Sequence, residues 1–222
     1  MSLSIVIPIL NASQTLPGTL AALSGVDGEI LVVDGGSTDA SANMARDRGA
    51  RVIVAPRGRG PQLSAGAEQA RGDWLLFLHA DTLLEEGWRN AVTHFCKDPA
   101  NRTKAATFRF ALDDPSRQAR RLERMVAWRV RRLGLPYGDQ GLLIHRDLYR
   151  AVGGYKPLEL MEDVDFARRI GRRRVVALPV TARTSAARWR REGWLRRSAR
   201  NLLCLSLYFA GVPTKFIKRV YG

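Results

Sequence analysis

Residues 29–39 read EILVVDGGSTD, and this stretch decides the fold. An apolar run at 30–33 leads directly into Asp34 and two glycines, a pattern typical of a buried strand that ends in a tight turn. The next segment, ASANMARDRG, predicts a helix that stops at Gly49. The stretch therefore predicts a strand, a loop and a helix in succession.

The same alternation surrounds this unit. SIVIPIL (4–10) predicts a first strand, and Asn11 or Ser13 would cap the helix after it. RVIVAP (51–56) and DWLLFLHAD (73–81) predict two further strands, separated by a glycine-rich loop that leads into a small-residue helix. Strands alternating with helices indicate an α/β fold with a mostly parallel central sheet flanked by helices.

The second half of the chain is mixed. AATFRFAL (105–112) alternates as a half-buried strand, SRQARRLERMVAWRVRRLG (116–134) predicts a basic helix, and GLLIHRDLYRAVGGY (141–155) predicts a strand followed by a helix. No repeat or linker marks a boundary, so we expect one domain over 1–222. Its parts would be a nucleotide-binding half (1–100), an acceptor-side half (101–193) and a basic amphipathic C-terminal region (194–222).

Composition narrows the class of protein. The 222 residues are 45% hydrophobic and 26% charged, which excludes a disordered chain, and the net charge of +15 predicts anionic partners. Two distant cysteines, Cys96 and Cys204, form neither a disulfide framework nor a zinc motif, and they favour a reducing cytoplasm. The first residues lack the basic start of a signal peptide.

The basic C-terminal region has two interpretations. Its apolar stretch, NLLCLSLYFAGV (201–212), is too short to cross a bilayer, but basic and aromatic residues flank it as in an interfacial membrane segment. The alternative is a helix packed on the domain with a solvated basic face. The arginine-rich segment 117–132 is read as a solvated face, because no nucleic-acid-binding motif accompanies it.

Polar side chains follow the predicted strands, at the edge of a parallel sheet where ligands bind. Asp34 would accept hydrogen bonds from a base or a ribose, or it would cap the next helix through an Asx turn. His79 and Asp81 would project to one side of an extended strand and ligate a divalent cation, or Asp81 and Thr82 would cap a helix.

Three further motifs carry reactive or binding groups. MEDVD (161–165) holds paired acids suited to general-base chemistry, and these acids also favour the start of a helix. GDQG (138–141) is either a turn facing a pocket or an ordinary turn. TSAARWRREG (184–193) sets Arg188 beside Trp189, either to bind phosphate and stack on a sugar or as a basic face with an anchoring Trp.

Taken in order, SIVIPILN, VVDGGSTD, the loop and strand ending in FLHADT, GDQG, LMEDVDFARRI and TSAARW resemble the family-2 glycosyltransferases with the GT-A fold. The resemblance covers nearly the whole chain. FLHADT, PYGDQG, LMEDVD and TS-x-x-RW are most similar to a compact bacterial subgroup associated with radical-SAM, selenodomain and arsenosugar-biosynthesis gene neighbourhoods.

The resemblance implies an inverting transfer from a nucleotide-diphospho-sugar, with UDP favoured, assisted by Mg²⁺ or Mn²⁺. His79 stands where the family has the first acid of its DXD motif, and Ser185 stands where it has Gln. The implied roles are nucleotide contacts from Pro8, Asn11, Asp34, Arg59, Gln62 and His79, a metal ligand at Asp81, a general base at Asp163 supported by Glu162, and acceptor-side contacts from Asp139, Gln140, Arg188 and Trp189.

Two other functions compete with this interpretation. A sugar-nucleotide pyrophosphorylase would carry a glycine-rich signature after the first strand, where this chain has NASQTL. A non-enzymatic basic protein would bind anionic membranes or nucleic acid through its arginines. We expect a cytoplasmic glycosyltransferase without a specific nucleic-acid partner, with peripheral attachment to the inner face of the membrane and a lipid-linked or membrane-borne acceptor as open alternatives.

Overall fold

A mixed sheet runs through residues 2–221, the part of the chain that the computed structural model describes. The strands of this part are β1 (Leu3–Ile9), β2 (Glu29–Asp34), β3 (Arg51–Val54), β4 (Trp74–Phe77), β5 (Thr82–Leu84), β6 (Ala105–Leu112), β7 (Leu142–His145) and β8 (Val175–Thr184). They lie in the order β3-β2-β1-β4-β7-β6-β8-β5. The first four strands are parallel, whereas β7 is antiparallel to both of its neighbours.

Helices cover both faces of this sheet. They are α1 (Leu16–Ala22), α2 (Ser41–Asp47), α3 (Arg59–Gln69), α4 (Trp88–Lys97), α5 (Arg117–Leu133), α6 (Arg146–Ala151), α7 (Glu162–Ile170), α8 (Ala187–Glu192), α9 (Trp194–Phe209) and α10 (Thr214–Tyr221). Apolar residues of α1, α2 and α4 pack on one face of the sheet, and those of α3, α6 and α7 pack on the other. This three-layer arrangement confirms the predicted α/β fold.

The central strand β1 is apolar on both faces because helices cover both. All seven of its residues are buried, as expected for a strand inside a parallel sheet. Pro8 lacks an N–H, but it lies beyond Val6, the last β1 residue that pairs with β4. The missing donor therefore falls where the ladder to β4 has already ended.

Helix α3 approaches the sheet closely through a glycine. A Cβ on Gly66 would lie 2.3 Å from Cγ1 of Val6, so a larger residue would push the helix away from β1. The helix begins at Arg59, earlier than predicted. Residues 59–62, which the sequence predicts as part of a loop, form its first turn. Arg59 is thereby fixed on the first turn of a helix at the carboxyl edge of the sheet.

The sheet curls back on itself between β4 and β5. Three strands separate β4 from β5 in the sheet order, a distance of about 19 Å in a flat sheet at about 4.8 Å per strand. The connection from Phe77 to Thr82 spans at most about 17 Å when fully extended. The far edge of the sheet must therefore bend toward the end of β4, which forms a concave wall around residues 78–81.

Two predicted helix caps are wrong, whereas α2 and α5 start where the sequence predicts. Helix α1 begins after Thr15 with no side-chain cap, and Asn11 instead bonds to the loop after β2. The strand predicted at 73–81 ends at Phe77, and Thr82 starts β5, so the predicted alternative of a helix cap at Asp81 and Thr82 is wrong. No helix among the described residues has the length and apolar character needed to cross a membrane.

Candidate active site

Two loops at the carboxyl edge of the parallel strands are tied to each other. The backbone N–H of Ser37 donates to Oδ1 of Asp34 over 2.9 Å, and the Ser37 hydroxyl donates to the same oxygen over 2.6 Å. The N–H of Asn11 donates to the Ser37 hydroxyl, and the N–H of Thr38 donates to Oδ1 of Asn11. Asp34 therefore stabilises the turn after β2, and the predicted alternative that it caps the next helix is wrong, because α2 starts after Ala40 and has no side-chain cap. The hydrogen bonds join the two loops without a ligand.

Gln62 lies beneath these loops and does not face them. Its Nε2 donates to the carbonyls of Ile9 (2.8 Å) and Val33 (2.7 Å), and its side chain is buried. The carboxamide thus joins the ends of β1 and β2 from inside the protein. We reassign Gln62 from a nucleotide contact to a positioning residue, and the buried Pro8 likewise shapes the end of β1 without presenting a polar group.

A cleft of about 130 Å³ lies beside these loops. It brings together eight of the thirteen predicted site residues: Arg59, His79, Asp81, Asp139, Glu162, Asp163, Arg188 and Trp189. Residues from α3, the connection after β4, α7 and α8 thus converge, although up to 130 sequence positions separate them. Pro8, Asn11, Asp34, Gln62 and Gln140 are outside its lining.

His79 is held against a glycine of the 138–140 turn. A Cβ on Gly138 would lie 2.3 Å from Nε2 of His79, so position 138 must remain glycine for the imidazole to fit. Burial lowers the pKa of His79 well below its ordinary value, and the nearby Arg59 and Arg188 lower it further. The imidazole is therefore neutral at pH 7, with a lone pair available on one nitrogen.

Helix α7 places its acids at the cleft. It starts at Glu162, directly after Met161, whose left-handed backbone (φ 65°) turns the chain sharply into the helix. Oδ1 of Asp163 accepts from the N–H of Val164 over 2.7 Å, and Oδ2 accepts from the N–H of Gly138 over 3.1 Å. Asp163 therefore joins α7 to the 138–140 turn and lines the cleft at the same time.

Burial perturbs two acids of the site. It raises the pKa of Glu162 to about 7, with a further rise from Asp163 and an opposing effect of Arg59. It also raises the pKa of Asp139 to about 6, where Arg129 opposes the shift and Asp163 and Asp81 add to it. Such shifts are common at functional sites, because there carboxylic acids exchange protons near neutral pH.

The 138–140 turn is more ordered than an ordinary turn. Gln140 is buried, and its Nε2 donates to the carbonyl of Phe108 over 3.1 Å, so it positions the turn and does not reach the cleft. The guanidinium of Arg129 lies 3.3 Å from the ring centroid of Tyr137 and donates to the carbonyl of Leu135. Asp139 is thereby directed to the cleft, where its Oδ1 has no hydrogen-bond partner within the described residues.

Arg59 is the cation at the centre of the acids. Burial acts to lower the pKa of its guanidinium, but the charges of Glu162, Tyr221, Asp163 and Asp81 outweigh this effect and raise it. Arg59 is therefore fully charged at neutral pH. It lines the cleft together with Asp81, Glu162 and Asp163. Its positive charge offsets the repulsion that these acids would exert on an anionic ligand.

The C-terminal helices contribute residues that sequence reasoning missed. Arg197, Asn201 and Tyr221 line the cleft, and Arg197 lies over the indole of Trp189 at 5.3 Å. Its guanidinium donates to Glu192 (2.9 Å) and to the Tyr221 hydroxyl (3.2 Å). The sequence showed a basic amphipathic segment but carried no signal that one of its arginines would face the site.

The cleft offers limited ligands for a metal ion. Among the described residues, no cluster of three or more His, Cys, Asp or Glu side chains is positioned to hold one. Asp81 and the neutral His79 are the donors that fit a divalent cation, and Mg²⁺ commonly uses one or two carboxylates and takes its other oxygens from phosphates and water. The donor set therefore fits a metal shared with a phosphorylated ligand.

The fold and this site define an α/β protein with a charged cleft at the carboxyl edge of its sheet. The model of glycosyl transferase family 2 matches residues 4–152, and the chain belongs to that family. Its sheet and flanking helices have a GT-A-type fold. The match ends before α7, α8 and the C-terminal helices, which complete the cleft.

Two bacterial relatives resemble parts of the chain. A PGL/p-HBAD biosynthesis glycosyltransferase of Mycobacterium bovis is 38% identical over 93 residues, covering 37% of this chain and 36% of the relative. An uncharacterized glycosyltransferase of the same species is 37% identical over 87 residues, covering 39% of each chain. The matches thus span little more than a third of these relatives.

Solved structures share the fold at low sequence identity. S. aureus TarS 1–349, crystallised with UDP-GlcNAc, superposes with a TM-score of 0.62 and 16% identity over 83% of this chain and 59% of that one. Glucosyl-3-phosphoglycerate synthase of Mycobacterium tuberculosis, crystallised with Mn²⁺, UDP and glucosyl-3-phosphoglycerate, gives 0.54 and 21% over 83% and 70%. Bound nucleotides and Mn²⁺ are properties of those proteins.

Proposed function

We propose that the chain is an inverting, metal-dependent glycosyltransferase that moves a sugar from a UDP-sugar to an acceptor hydroxyl. The observation that carries this proposal is the convergence of Asp81, Arg59 and Asp163 in one cleft beside the Asp34 loop. A metal ligand, a cation and a proton acceptor are the groups that glycosyl transfer from a diphosphate requires.

The nucleoside would lie outside the cleft, along the tied loops. Oδ1 of Asp34 is occupied by Ser37, and Oδ2 accepts no hydrogen bond from the described residues, so it can take the N–H of a base. Asn11 forms the opposite side of this position through its bond to Thr38. A cleft of about 130 Å³ is smaller than the roughly 300–1,000 Å³ of ordinary ligand pockets, which agrees with a donor only partly enclosed.

The diphosphate would bind at the inner end of the cleft. Arg59 and Arg188 supply positive charge there, and the neutral His79 lies close enough to both for their charges to lower its pKa. Mg²⁺ or Mn²⁺ held by Asp81, with His79 as a second donor, would neutralise the charge that develops on the leaving diphosphate. Raised Glu162 and Asp139 pKa values reduce the negative charge facing it.

Asp163 would take the proton of the acceptor hydroxyl. Each of its oxygens accepts one backbone N–H and retains a further lone pair for that proton. The two bonds also fix the carboxylate in one orientation, as a general base must be. Attack from this side, opposite the leaving diphosphate, inverts the anomeric carbon. Glu162 supports Asp163 as its neighbour on the first turn of α7.

The acceptor would enter on the side of Trp189 and Asp139. Trp189 stacks with Trp194 at 5.8 Å between ring centroids and provides a flat surface for a sugar or an aromatic acceptor. In this proposal residues 1–100 carry the nucleotide, 101–193 the acceptor, and 194–222 the basic region that closes the cleft. The acceptor would be lipid-linked or membrane-borne.

The finer identity of the enzyme is also part of the proposal. The motifs FLHADT and LMEDVD support membership of the compact bacterial subgroup associated with radical-SAM and arsenosugar genes. We place the enzyme in the cytoplasm, attached peripherally to the inner face of the membrane, because its free cysteines suit a reducing compartment and its net charge is +15.

Calorimetric titration of the protein with UDP, GDP, CDP and dTDP, each with and without Mn²⁺, tests the proposal. We expect UDP to bind with a strong dependence on Mn²⁺ and the other nucleotides to bind more weakly. Binding of none of them would reject the donor site, and equal binding with and without Mn²⁺ would reject metal dependence.

A further inference from the structure

The C-terminal helices α9 and α10 expose apolar side chains to an unusual extent. Of the twelve large apolar side chains that are exposed among the described residues, six lie within positions 195–220. We call these six the outer apolar stripe: Leu195, Leu202, Leu203, Phe209, Phe216 and Val220. A contiguous exposed apolar surface on a folded domain marks an interaction site.

The stripe follows the helical period. Leu195, Leu202 and Phe209 are spaced by seven residues on α9, and they are 87%, 64% and 52% exposed. Phe216 and Val220 are four residues apart on α10 and so share one face of that helix. The exposed residues therefore form continuous faces and are not scattered singly.

The opposite face of the two helices holds them on the domain. Cys204 and Ile217 are fully buried against Leu135, Met161 and Val164. This contact buries one face of the two helices, whereas about half or more of most side chains in the outer apolar stripe is left in solvent. A helix that is apolar on both sides requires a second apolar environment.

The charge around the stripe points to one kind of environment. Residues 194–221 contain six basic residues and no Asp or Glu. Arg196, Lys215 and Arg219 are exposed beside the stripe. Apolar side chains with a basic rim match the two layers of an anionic bilayer surface, namely acyl chains beneath negatively charged headgroups.

We propose that the outer apolar stripe and its basic rim dock on an anionic phospholipid bilayer. The same two helices present Arg197, Asn201 and Tyr221 to the cleft. Because a helix is about 10 Å across, the bilayer would lie about one helix diameter from the acceptor side of the cleft. This inference rests on the peripheral attachment proposed above and names the surface that makes it, and it does not depend on which nucleotide the donor site takes.

Co-sedimentation with phosphatidylglycerol-containing vesicles tests this inference. The test variant replaces Leu195, Leu202 and Phe209 together with Gln, a good helix former. The matched control replaces Val54 and Leu83, exposed apolar residues on β3 and β5, with Thr. We expect wild-type and control proteins to bind the vesicles and the triple Gln variant to bind at least about tenfold more weakly.

Three results would overturn the proposal. These are failure of the wild-type protein to bind anionic vesicles, equal binding by the triple variant, and equal binding to pure phosphatidylcholine vesicles. Light scattering adds a fourth: if the triple variant converts a dimer into a monomer, a second copy of the chain covers the stripe. The UDP titration on each variant checks the donor site separately, so loss of vesicle binding with intact UDP binding isolates the docking surface.

Discussion

The backbone N–H of Gly138 donates to Oδ2 of Asp163, so the turn after α5 and the first turn of α7 form one unit at the cleft. Gly138 in turn contacts the imidazole of His79, because its missing side chain leaves the space that the ring fills. Gly138 is thus the residue that bonds to Asp163 and makes room for His79, next to the proposed metal ligand. The proposed acceptor and donor sides of the cleft meet at this glycine.

Replacing Asp163 with Asn should abolish transfer and spare nucleotide binding. Loss of a general base lowers kcat by about 10²–10⁴, whereas an Asn oxygen can still accept one of the two backbone N–H groups. Transfer kinetics and UDP titration on the same preparation separate the two effects. Asp147→Asn, at an exposed position on α6, serves as the control. Equal loss of UDP binding and transfer would remove Asp163 from the base role.

Replacing Asp81 with Ala should remove the Mn²⁺ dependence of UDP binding. Asp81 is the carboxylate of the cleft that lies beside His79, and no three-ligand cluster among the described residues would compensate for its loss. Calorimetry with and without Mn²⁺ should give the same weak affinity, at least about tenfold below that of the wild-type complex. Glu86→Ala, five positions along the chain, should leave the dependence intact. Full metal dependence in the Asp81 variant would place the metal elsewhere.

Replacing Gln62 with Leu should destabilise the protein. The carbonyls of Ile9 and Val33 would each lose a buried donor, at a total cost of about 1–3 kcal/mol. Urea unfolding measures this loss as a lower midpoint with an unchanged slope. Gln69→Leu on the same helix removes only an exposed bond to Arg51 and should change stability by less than about 0.5 kcal/mol. Similar stability of the two variants would mean that Gln62 does not hold the strand ends.

The raised pKa of Glu162 predicts that stability falls as pH rises through the acidic range. The unfolded side chain loses its proton near pH 4.5 and the folded one near 7, so between these values the folded state binds more protons. The contribution of Glu162 to the free energy of unfolding should therefore decrease by on the order of 3 kcal/mol over this window and level off above it.

Urea unfolding at several pH values measures this effect. Glu162→Gln should remove roughly half of the slope, and a comparable decrease from Asp139 should remain because its pKa is raised from 3.8 to about 6. A stability that is constant from about pH 5 to pH 8 in the wild-type protein would show that Glu162 is charged throughout. Retention of the full slope in the Gln variant would assign the titration to another group.

The parallel half of the fold could be predicted because each strand is a short apolar run that ends at a polar group. The limits of β1, β2 and β3 lie within two residues of the predicted ones, and β6 matches 105–112. The start of α3 was missed because glycines and a proline at 58–61 suggest a loop, although Pro61 in the first turn of a helix needs no N–H partner.

The residues of the cleft could be predicted in part. The sequence shows which side chains are acidic, basic or aromatic, but it does not show which of them are buried away from the cleft. The motifs predicted Asp81, Asp163 and Arg188 as site residues, and all three line the cleft. Gln62 and Gln140 belong to the same motifs, but their side chains point into the protein. Each donates a hydrogen bond to a strand carbonyl, Gln62 to that of Ile9 and Gln140 to that of Phe108. Arg197 and Tyr221 lie more than a hundred residues after Asp81 in the chain. Only tertiary packing brings them to the same cleft.

The curl of the sheet has a consequence for synthesis on the ribosome. The hydroxyl of Thr184 donates to the backbone carbonyl of Asp81. Thr184 also pairs with Thr82 between β8 and β5, although the two residues are 102 positions apart in the chain. While the chain is being made, β5 emerges long before β8 and remains an unpaired edge in the meantime. The loops joined by Asp34 and Asn11 can therefore form early in translation, but the cleft around Asp81 assembles only after β8 has been translated.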